Sequence, residues 1–263
     1  MGAPYVDAAP VLREPPADPA RCLVSLLAVA CLLVALAGLA IGAVPIHPGQ
    51  AISILAAQIG IEFPWTFSDR EAAVLLHIRA PRVVLGAVAG AALALGGVLM
   101  QALFRNPLAD PGLIGVAAGS ATAAAAYTVL GPALFPLLVA WPIWGLPSAS
   151  VLGGLAATAL VMRLAKRSGR TRVEHLLLAG IAINALAGAV IGLLMVIADD
   201  AQMREVAFWS FGSLGRATWA VIGLAGLLAW PLAAWGYRHA AWLNALLLGE
   251  GEAGFLGVPV ERK

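Results

Sequence analysis

The sequence predicts an all-α, polytopic transmembrane helix bundle, and three observations lead to that prediction. Hydrophobic residues make up 61% of the 263 residues, and the mean hydropathy is +0.91. Charged residues make up only 11%, whereas an ordinary soluble domain has about 25%. Charge-free stretches of helical length recur along the chain and lack the alternation of a β-strand. Helices, rather than a barrel, are therefore expected to cross the membrane, and a soluble globule and a disordered chain are excluded.

The charge-free stretches predict about six spans. The long stretch between Asp110 and Arg163 is divided in two, because its centre is rich in proline and tryptophan, which are typical of turns and membrane interfaces. This gives a cytoplasmic tail at 1–21, a transmembrane domain at 22–237 and a cytoplasmic segment at 238–263. The predicted spans are 22–44, 83–103, 113–131, 147–165, 175–197 and 218–237.

The basic residues favour a cytoplasmic N-terminus. In that orientation the cluster from Arg163 to Arg172 occupies a short inner loop, where the positive-inside rule is most reliable. Arg79 and Arg82 instead fall at the outer mouth of the second span, against that tendency, so they need another explanation. The first 20 residues lack the pattern of a cleaved signal peptide.

Several functions are excluded by what the sequence lacks. The net charge is only +2 and no basic stripe is present, so nucleic acid is not an expected partner. Neither Lys166 nor Lys263 ends a glycine-rich phosphate loop. No catalytic motif or intramembrane carboxylate pair is present, so we expect no enzyme, no metal site and no bound cofactor. Cys22 and Cys31 lie in one apolar run and are expected to be packed thiols without a disulfide.

Motifs around the second span carry the strongest functional signal. The span begins with R-A-P-R at 79–82, contains G-G-V-L-M-Q at 96–101 and leads into N-P-L-A-D-P-G at 106–112. In this order, the motifs resemble those of the FecCD/cobalamin-type family of ABC importer permeases. Similar segments at 176–185, 208–215 and 243–258 extend the resemblance along nearly the whole chain.

The resemblance implies an inner-membrane permease subunit that imports an iron complex by alternating access. The segment 198–214 is most similar to the haem branch, so haem is the first expectation for the cargo, and ferric siderophore or cobalamin is the alternative. The implied partners are a separate ABC ATPase, a periplasmic substrate-binding protein, membrane lipid and a second permease copy in a homodimer. The family normally has ten spans, so a truncated membrane scaffold that binds the ATPase without transporting cargo is the rival expectation.

The resemblance also assigns roles to residues. Arg79 and Arg82 are expected to dock the binding protein, the alternative being that they reach towards lipid headgroups. Two short inner helices separated by a glycine are expected to couple to the ATPase, or alternatively to lie on the lipid, through Leu243, Asn244, Leu247, Leu248, Gly249, Glu250, Leu256 and Gly257. Candidates for the translocation pathway or gate, with structural roles as the alternative, are Gln101, Asn106, Pro107, Asp110, Gly112 and Asn184.

Overall fold

The computed structural model describes residues 19–134, 136, 144–167, 170–171 and 173–257. The chain divides into two compact units, Met1–Val83 and Val84–Lys263, which are described separately. Most of the predicted tail at 1–21 lies outside the described residues, as does Arg172 of the basic loop.

In the described part of the first unit, three helices and a π-helical turn precede the start of a fourth helix. They are α1 (Pro19–Ala40), α2 (Pro48–Ala57), α3 (Asp69–Val74), the turn Leu75–Arg79 and the first residues of α4 (Ala80–Phe104). Capping boxes at His47 and Ser68 begin α2 and α3, because in each box the cap side chain accepts a bond from the helix backbone and the third helical residue bonds back. A small apolar core joins these elements, formed by Ile46, Ala51, Ile54 and Leu75.

The π-helical turn has a cause in the sequence. Pro81, two residues after the turn, has no backbone N–H to donate to the carbonyl four residues back. The N–H of Ala80 donates to the carbonyl oxygen of Leu75, five residues back, so the turn is one residue wider than an α-turn. The helix from Asp69 to Phe104 is therefore continuous but locally widened beside the R-A-P-R motif.

The described part of the second unit contains further helices and one short β-ribbon. After α4 come a 3-10 turn (Pro111–Ile114), α5 (Val116–Leu134), α6 (Gly145–Ala165), α7 (Val173–Ile197), α8 (Asp200–Phe211), α9 (Trp219–Arg238), α10 (Ala240–Leu248) and α11 (Glu250–Phe255). Between α6 and α7, β1 (Lys166–Arg167) pairs antiparallel with β2 (Arg170–Thr171).

Helices α5, α6 and α7 form the centre of the second unit, where each packs against the other two. Gly119 on α5 and Gly153 on α6 lie at the closest approach, since a Cβ on either would lie 2.5 Å from the carbonyl oxygen of the other. Small residues at such crossings let helix backbones pack closely within a membrane. This contact explains why the sequence of α5 is rich in alanine and glycine.

Helices occupy all six predicted spans, but only five described segments are long and apolar enough to cross a membrane. These five are Ala20–Ala40, Asp69–Phe104, Gly145–Ala165, Val173–Ile197 and Trp219–Arg238. Helix α5 is not among them, because small and weakly polar residues lower its hydropathy. Since α5 packs against both α6 and α7, more extensively than those two pack against each other, it needs less apolar surface than a helix surrounded by lipid.

The prediction for the two cysteines is half right. Both thiols are free, as expected, but Cys22 and Cys31 are exposed rather than packed. The physical reason is that α1 contacts its unit mainly through α2 and the π-helical turn, so most of its surface is left uncovered. An uncovered apolar helix of this length is typical of a span that faces lipid.

Candidate functional site

Arg79 ends the π-helical turn and is enclosed by its own chain. Its side chain is only 7% exposed. Nη1 donates to the carbonyl oxygens of Leu39 and Ala40, each at 2.9 Å, and Nη2 donates to the carbonyl oxygen of Val44. A Cβ on Gly42 would lie 2.5 Å from Nη2, so the glycine leaves the space that the guanidinium fills.

Arg82, the other arginine of the motif, has a different environment. It lies in the first turn of α4 and is exposed. Docking of a binding protein stays a prediction for both arginines, but their geometry differs. The charge of Arg82 is accessible from outside the unit, and the charge of Arg79 is not.

A polar network between α2 and α3 was missed by the sequence analysis. Gln50 Nε2 donates to the carbonyl oxygen of Thr66 at 3.1 Å and to Glu71 Oε1 at 3.3 Å. Gln50 Oε1 accepts from the backbone N–H of His47 at 2.8 Å, and Glu71 Oε2 accepts from that of Ser68 at 2.7 Å. The two capping boxes are thus joined through one glutamine. The Ser68-x-x-Glu71 spacing is a capping-box signature that would have revealed α3.

The N-P-L-A-D-P-G loop is held by its own side chains. Asn106 Oδ1 accepts from the backbone N–H of Leu108 at 2.9 Å, and Asp110 Oδ1 accepts from that of Gly112 at 2.7 Å. Asp110 thereby caps the 3-10 turn that leads into α5, a structural role of the kind given above as the alternative to a role in the pathway. Pro107, between these two turns, is exposed.

Asn184 connects this loop to α7. Its Nδ2 donates to the carbonyl oxygen of Gly112 at 3.2 Å, while its Oδ1 is buried with no hydrogen-bond partner among the residues that the structure describes. Gln101 is half-buried near the end of α4, where its carbonyl oxygen accepts from the backbone N–H of Asn106 at 3.2 Å. The six pathway candidates therefore lie in or beside one loop, and their hydrogen bonds to backbone groups hold that loop in place.

An apolar core packs against the loop through the loop residue Ala109. It brings together the end of α4, the end of α6 and the start of α7. Its buried members are Phe104, Ala109, Val161, Ala165 and Leu176. Because the loop residue Ala109 belongs to this core, the loop is fixed relative to α6 and α7.

The predicted pair of inner helices is present as α10 and α11. Gly249 separates them with a φ of 127°, a conformation that favours glycine. Leu247 is 53% exposed, Leu248 67% and Leu256 65%, and Gly257 follows at a φ of 82°. Glu250 begins α11, but its side chain lies outside the described residues.

The predicted coupling residues divide into two groups. Leu243 and Asn244 line an open apolar groove of about 590 Å³ between α4, α9 and α10, together with Leu95, Val98 and Trp230 among others. Leu247 and Leu248 do not line the groove and are exposed. The exposed leucines, rather than the whole set, form the accessible apolar surface of α10.

The junction between α9 and α10 is formed around His239. Its ring stacks on Trp235 with the ring centroids 4.6 Å apart, and it makes a T-shaped contact with Trp242 with the ring centroids 4.5 Å apart. Its backbone N–H also donates to the carbonyl oxygens of Trp235 and Gly236. These contacts fix the direction in which α10 leaves the last long span.

Among the described residues, five segments long and apolar enough to cross a membrane, together with the closely packed helices α5, α6 and α7, define a multi-pass membrane protein. The chain belongs to the FecCD transport family, whose family profile matches residues 27–263. This confirms the resemblance seen in the R-A-P-R and N-P-L-A-D-P-G motifs.

Individual relatives agree with the family. The chain is 44% identical over 200 residues to the hemin transport system permease protein HmuU of Yersinia pestis, covering 75% of this chain and 59% of that protein. It is 36% identical over 231 residues to the cobalamin import system permease protein BtuC of Halobacterium salinarum, covering 84% of this chain and 58% of that protein. The chain thus spans less than two thirds of the length of these curated relatives.

A solved structure also has the same fold. It is described as a metal-chelate type ABC transporter in an inward-facing conformation, and it matches with a TM-score of 0.72 at 26% identity. The match covers 91% of this chain and 68% of that chain. The polytopic helical fold predicted from the sequence is therefore confirmed.

Proposed function

We propose that this chain is the transmembrane permease subunit of a binding-protein-dependent ABC importer that carries haem across the bacterial inner membrane. The observation that carries the proposal is the 44% identity to the hemin permease over 200 residues, within a chain of the FecCD family. Haem or another iron complex is the cargo in this proposal and not a resident cofactor.

A separate ATPase supplies the energy in this proposal, since neither lysine of the chain ends a glycine-rich phosphate loop. The ATPase binds the exposed surface of α10 and α11. Leu247, Leu248 and Phe255 are 53%, 67% and 94% exposed, and covering them removes apolar area from water. Burial of apolar area contributes about 25 cal/mol per Å². A force applied to α10 reaches the last long span through the His239 junction.

Cargo arrives at the opposite side of the membrane from a periplasmic binding protein, which docks at the R-A-P-R motif near Arg79 and Arg82. Two copies of the permease form the pathway between them in this proposal, surrounded by lipid. Nucleotide binding to the ATPase favours one of two arrangements of the helices, so that the pathway opens alternately to each side. The predicted pathway residues lie in the loop that joins α4 to α5 and beside it on α7.

Cobalamin is the second candidate cargo. The supporting observation is the 36% identity to the cobalamin permease over 84% of this chain, a longer match than that with the hemin permease. Ferric siderophores, which are iron complexes as haem is, stay a further alternative cargo.

The test is uptake by the reconstituted transporter. The permease is placed in proteoliposomes with its cognate ATPase and binding protein, and haem and cobalamin uptake are measured in parallel. We expect ATP-dependent accumulation of haem that requires the binding protein. The control is the same preparation with an ATPase variant that binds but does not hydrolyse ATP.

Each alternative result would contradict a different part of the proposed function. Accumulation of cobalamin without haem would contradict the cargo and leave the transport class intact. Stimulation of the ATPase by the permease without uptake of either cargo would contradict transport and favour the scaffold.

A further inference from the structure

The segment between α1 and α3 carries a single charge. Glu62 is the only Asp, Glu, Lys or Arg between Ala40 and Asp69. The segment contains α2, a helix of 10 residues. A helix of this length reaches about 15 Å, half the thickness of the hydrocarbon core of a membrane. Helix α2 is therefore too short to span, and an apolar helix of its length belongs either to a protein core or to the membrane interface.

Helix α2 has two apolar faces, and its own unit covers only one of them. Ala51 and Ile54 are buried in the core of the first unit. Ile52 and Leu55 lie three residues apart, so they are neighbours on the helix surface, and both are exposed. A helix inside a protein core would bury both faces. The exposed pair therefore indicates that α2 lies at a surface.

The chain after α2 exposes a large apolar residue at every second position. We name this set the apolar strip, and it consists of Ile59, Ile61, Phe63, Trp65 and Phe67. Its members are between 39% and 74% exposed. Alternate residues of an extended chain lie on the same side, and the rings of Phe63 and Trp65 stack with their centroids 6.0 Å apart. None of the positions in between holds a large apolar residue.

The apolar strip is held in place by α2. Trp65 lies against the first turn of that helix, since a Cβ on Gly49 would lie 2.7 Å from both Cδ2 and Cε2 of its ring. Gln50 Nε2 donates to the carbonyl oxygen of Thr66 at 3.1 Å. Ile54 in turn anchors α2 in the core of the first unit. The exposed apolar residues therefore belong to a fixed surface rather than to a free loop.

Lipid fits this surface better than a soluble protein partner does. The surface follows directly on α1, an uncovered apolar helix, and Ile41, the first residue after α1, is 77% exposed. Tryptophan is enriched at the headgroup level of membranes, where one side of the ring is apolar and the other is wet. The single charge of the segment offers little that an acidic or basic protein could recognise. Contiguous apolar surface is also uncommon on a face that meets only water.

We propose that α2 and the apolar strip form an interfacial element that lies in the lipid headgroup region, on the side of the membrane where α1 ends. The strip contacts lipid, and Glu62 contacts water. Because Ile54 and Leu75 share one core, this element sets the position of the π-helical turn relative to the lipid surface. The inference does not rest on the proposed cargo or on any protein partner, since it uses only contacts within the first unit and the membrane location of α1.

The test measures depth with spin labels on the purified permease in nanodiscs of phosphatidylcholine. In a background with Cys22→Ala and Cys31→Ala, single cysteines are placed at two strip positions and at two positions between them: Phe63→Cys, Phe67→Cys, Glu62→Cys and Thr66→Cys. All four positions are exposed, so the labels should not disturb folding. Each label is tested for collisions with oxygen, which concentrates in the membrane, and with a water-soluble nickel chelate. We expect the oxygen-to-nickel ratio to be severalfold higher at the two strip positions. Leu26→Cys, exposed on α1, gives the value for a position in lipid.

Three results would overturn the proposal. Nickel collision rates at Phe63→Cys and Phe67→Cys equal to that at Glu62→Cys would place the strip in water. Protection of the strip positions from both reagents would show that protein covers them, whether a second copy of the permease or another part of the assembly. The contrast between neighbouring positions should also persist in about 1 M salt, where the screening length falls to about 3 Å, because the contact is apolar. Its loss at high salt would show that charge, rather than apolar contact with lipid, holds the segment.

Discussion

A single glycine on α7 determines how closely that helix approaches the loop after α4. A Cβ on Gly180 would overlap the carbonyl oxygen of Leu113 and lie 2.9 Å from its carbonyl carbon. One helical turn further along, Asn184 donates to the carbonyl oxygen of Gly112. The lack of a side chain at Gly180 and the amide of Asn184 act together, because the hydrogen bond from Asn184 requires a separation between α7 and the 3-10 turn at which a Cβ on Gly180 would not fit.

The contact at Gly180 predicts a large effect for the smallest possible substitution. We expect Gly180→Ala to lower the free energy of unfolding by about 1–3 kcal/mol, since the backbone of the 3-10 turn must move away. Gly188→Ala on the same helix is the control, because nothing lies within 4 Å of its Cβ. It should be neutral or stabilise by about 0.5 kcal/mol through helix propensity. Denaturant unfolding in detergent measures both, and equal losses would contradict the contact.

At the scale of elements, α10 presents different residues to its own chain and to its surroundings. Leu243 and Asn244 line the groove beside α4 and α9, whereas Leu247 and Leu248 are exposed near Gly249. The sequence predicted a helix, a glycine turn and a second helix, and the structure confirms that arrangement. The sequence did not separate the residues that line the groove from those that are exposed, because this difference depends on the angle at which α10 leaves α9.

This division predicts which positions of α10 touch the ATPase. In a background with Cys22→Ala and Cys31→Ala, we expect Leu248→Cys to crosslink to the co-expressed ATPase with a short thiol-to-amine reagent. The reason is that its side chain is 67% exposed at the end of the helix. The crosslinked product is detected as a band of added mass that contains both chains.

The matched control is Leu228→Cys, an exposed position within the long span α9. It should give no product, since a partner in the aqueous phase does not reach a thiol within the membrane. Absence of a product from Leu248→Cys as well would indicate that α10 lies on the lipid instead.

At the scale of the whole molecule, the spans were predictable and the long-range contacts were not. A charge-free run of about 20 residues is sufficient to recognise a span, because the thickness of the membrane acts on each segment separately. The acceptors of Arg79 lie 35 to 40 residues away along the chain, so its burial depends on how α1 meets the π-helical turn. The exposure of Cys22 and Cys31 likewise depends on which helices pack against α1.

The orientation of the chain is the remaining prediction at this scale. Arg163 and Lys166, at the end of α6, belong to the basic cluster that the positive-inside rule places in the cytoplasm. The segment between α1 and α3 then faces outwards. In the same background without native cysteines, we expect a membrane-impermeant maleimide to label Glu62→Cys in intact spheroplasts. Lys166→Cys should be labelled only after lysis, since both positions are exposed and differ only in the side of the membrane. The reverse pattern would show that the N-terminus lies outside and that the basic cluster does not follow the positive-inside rule.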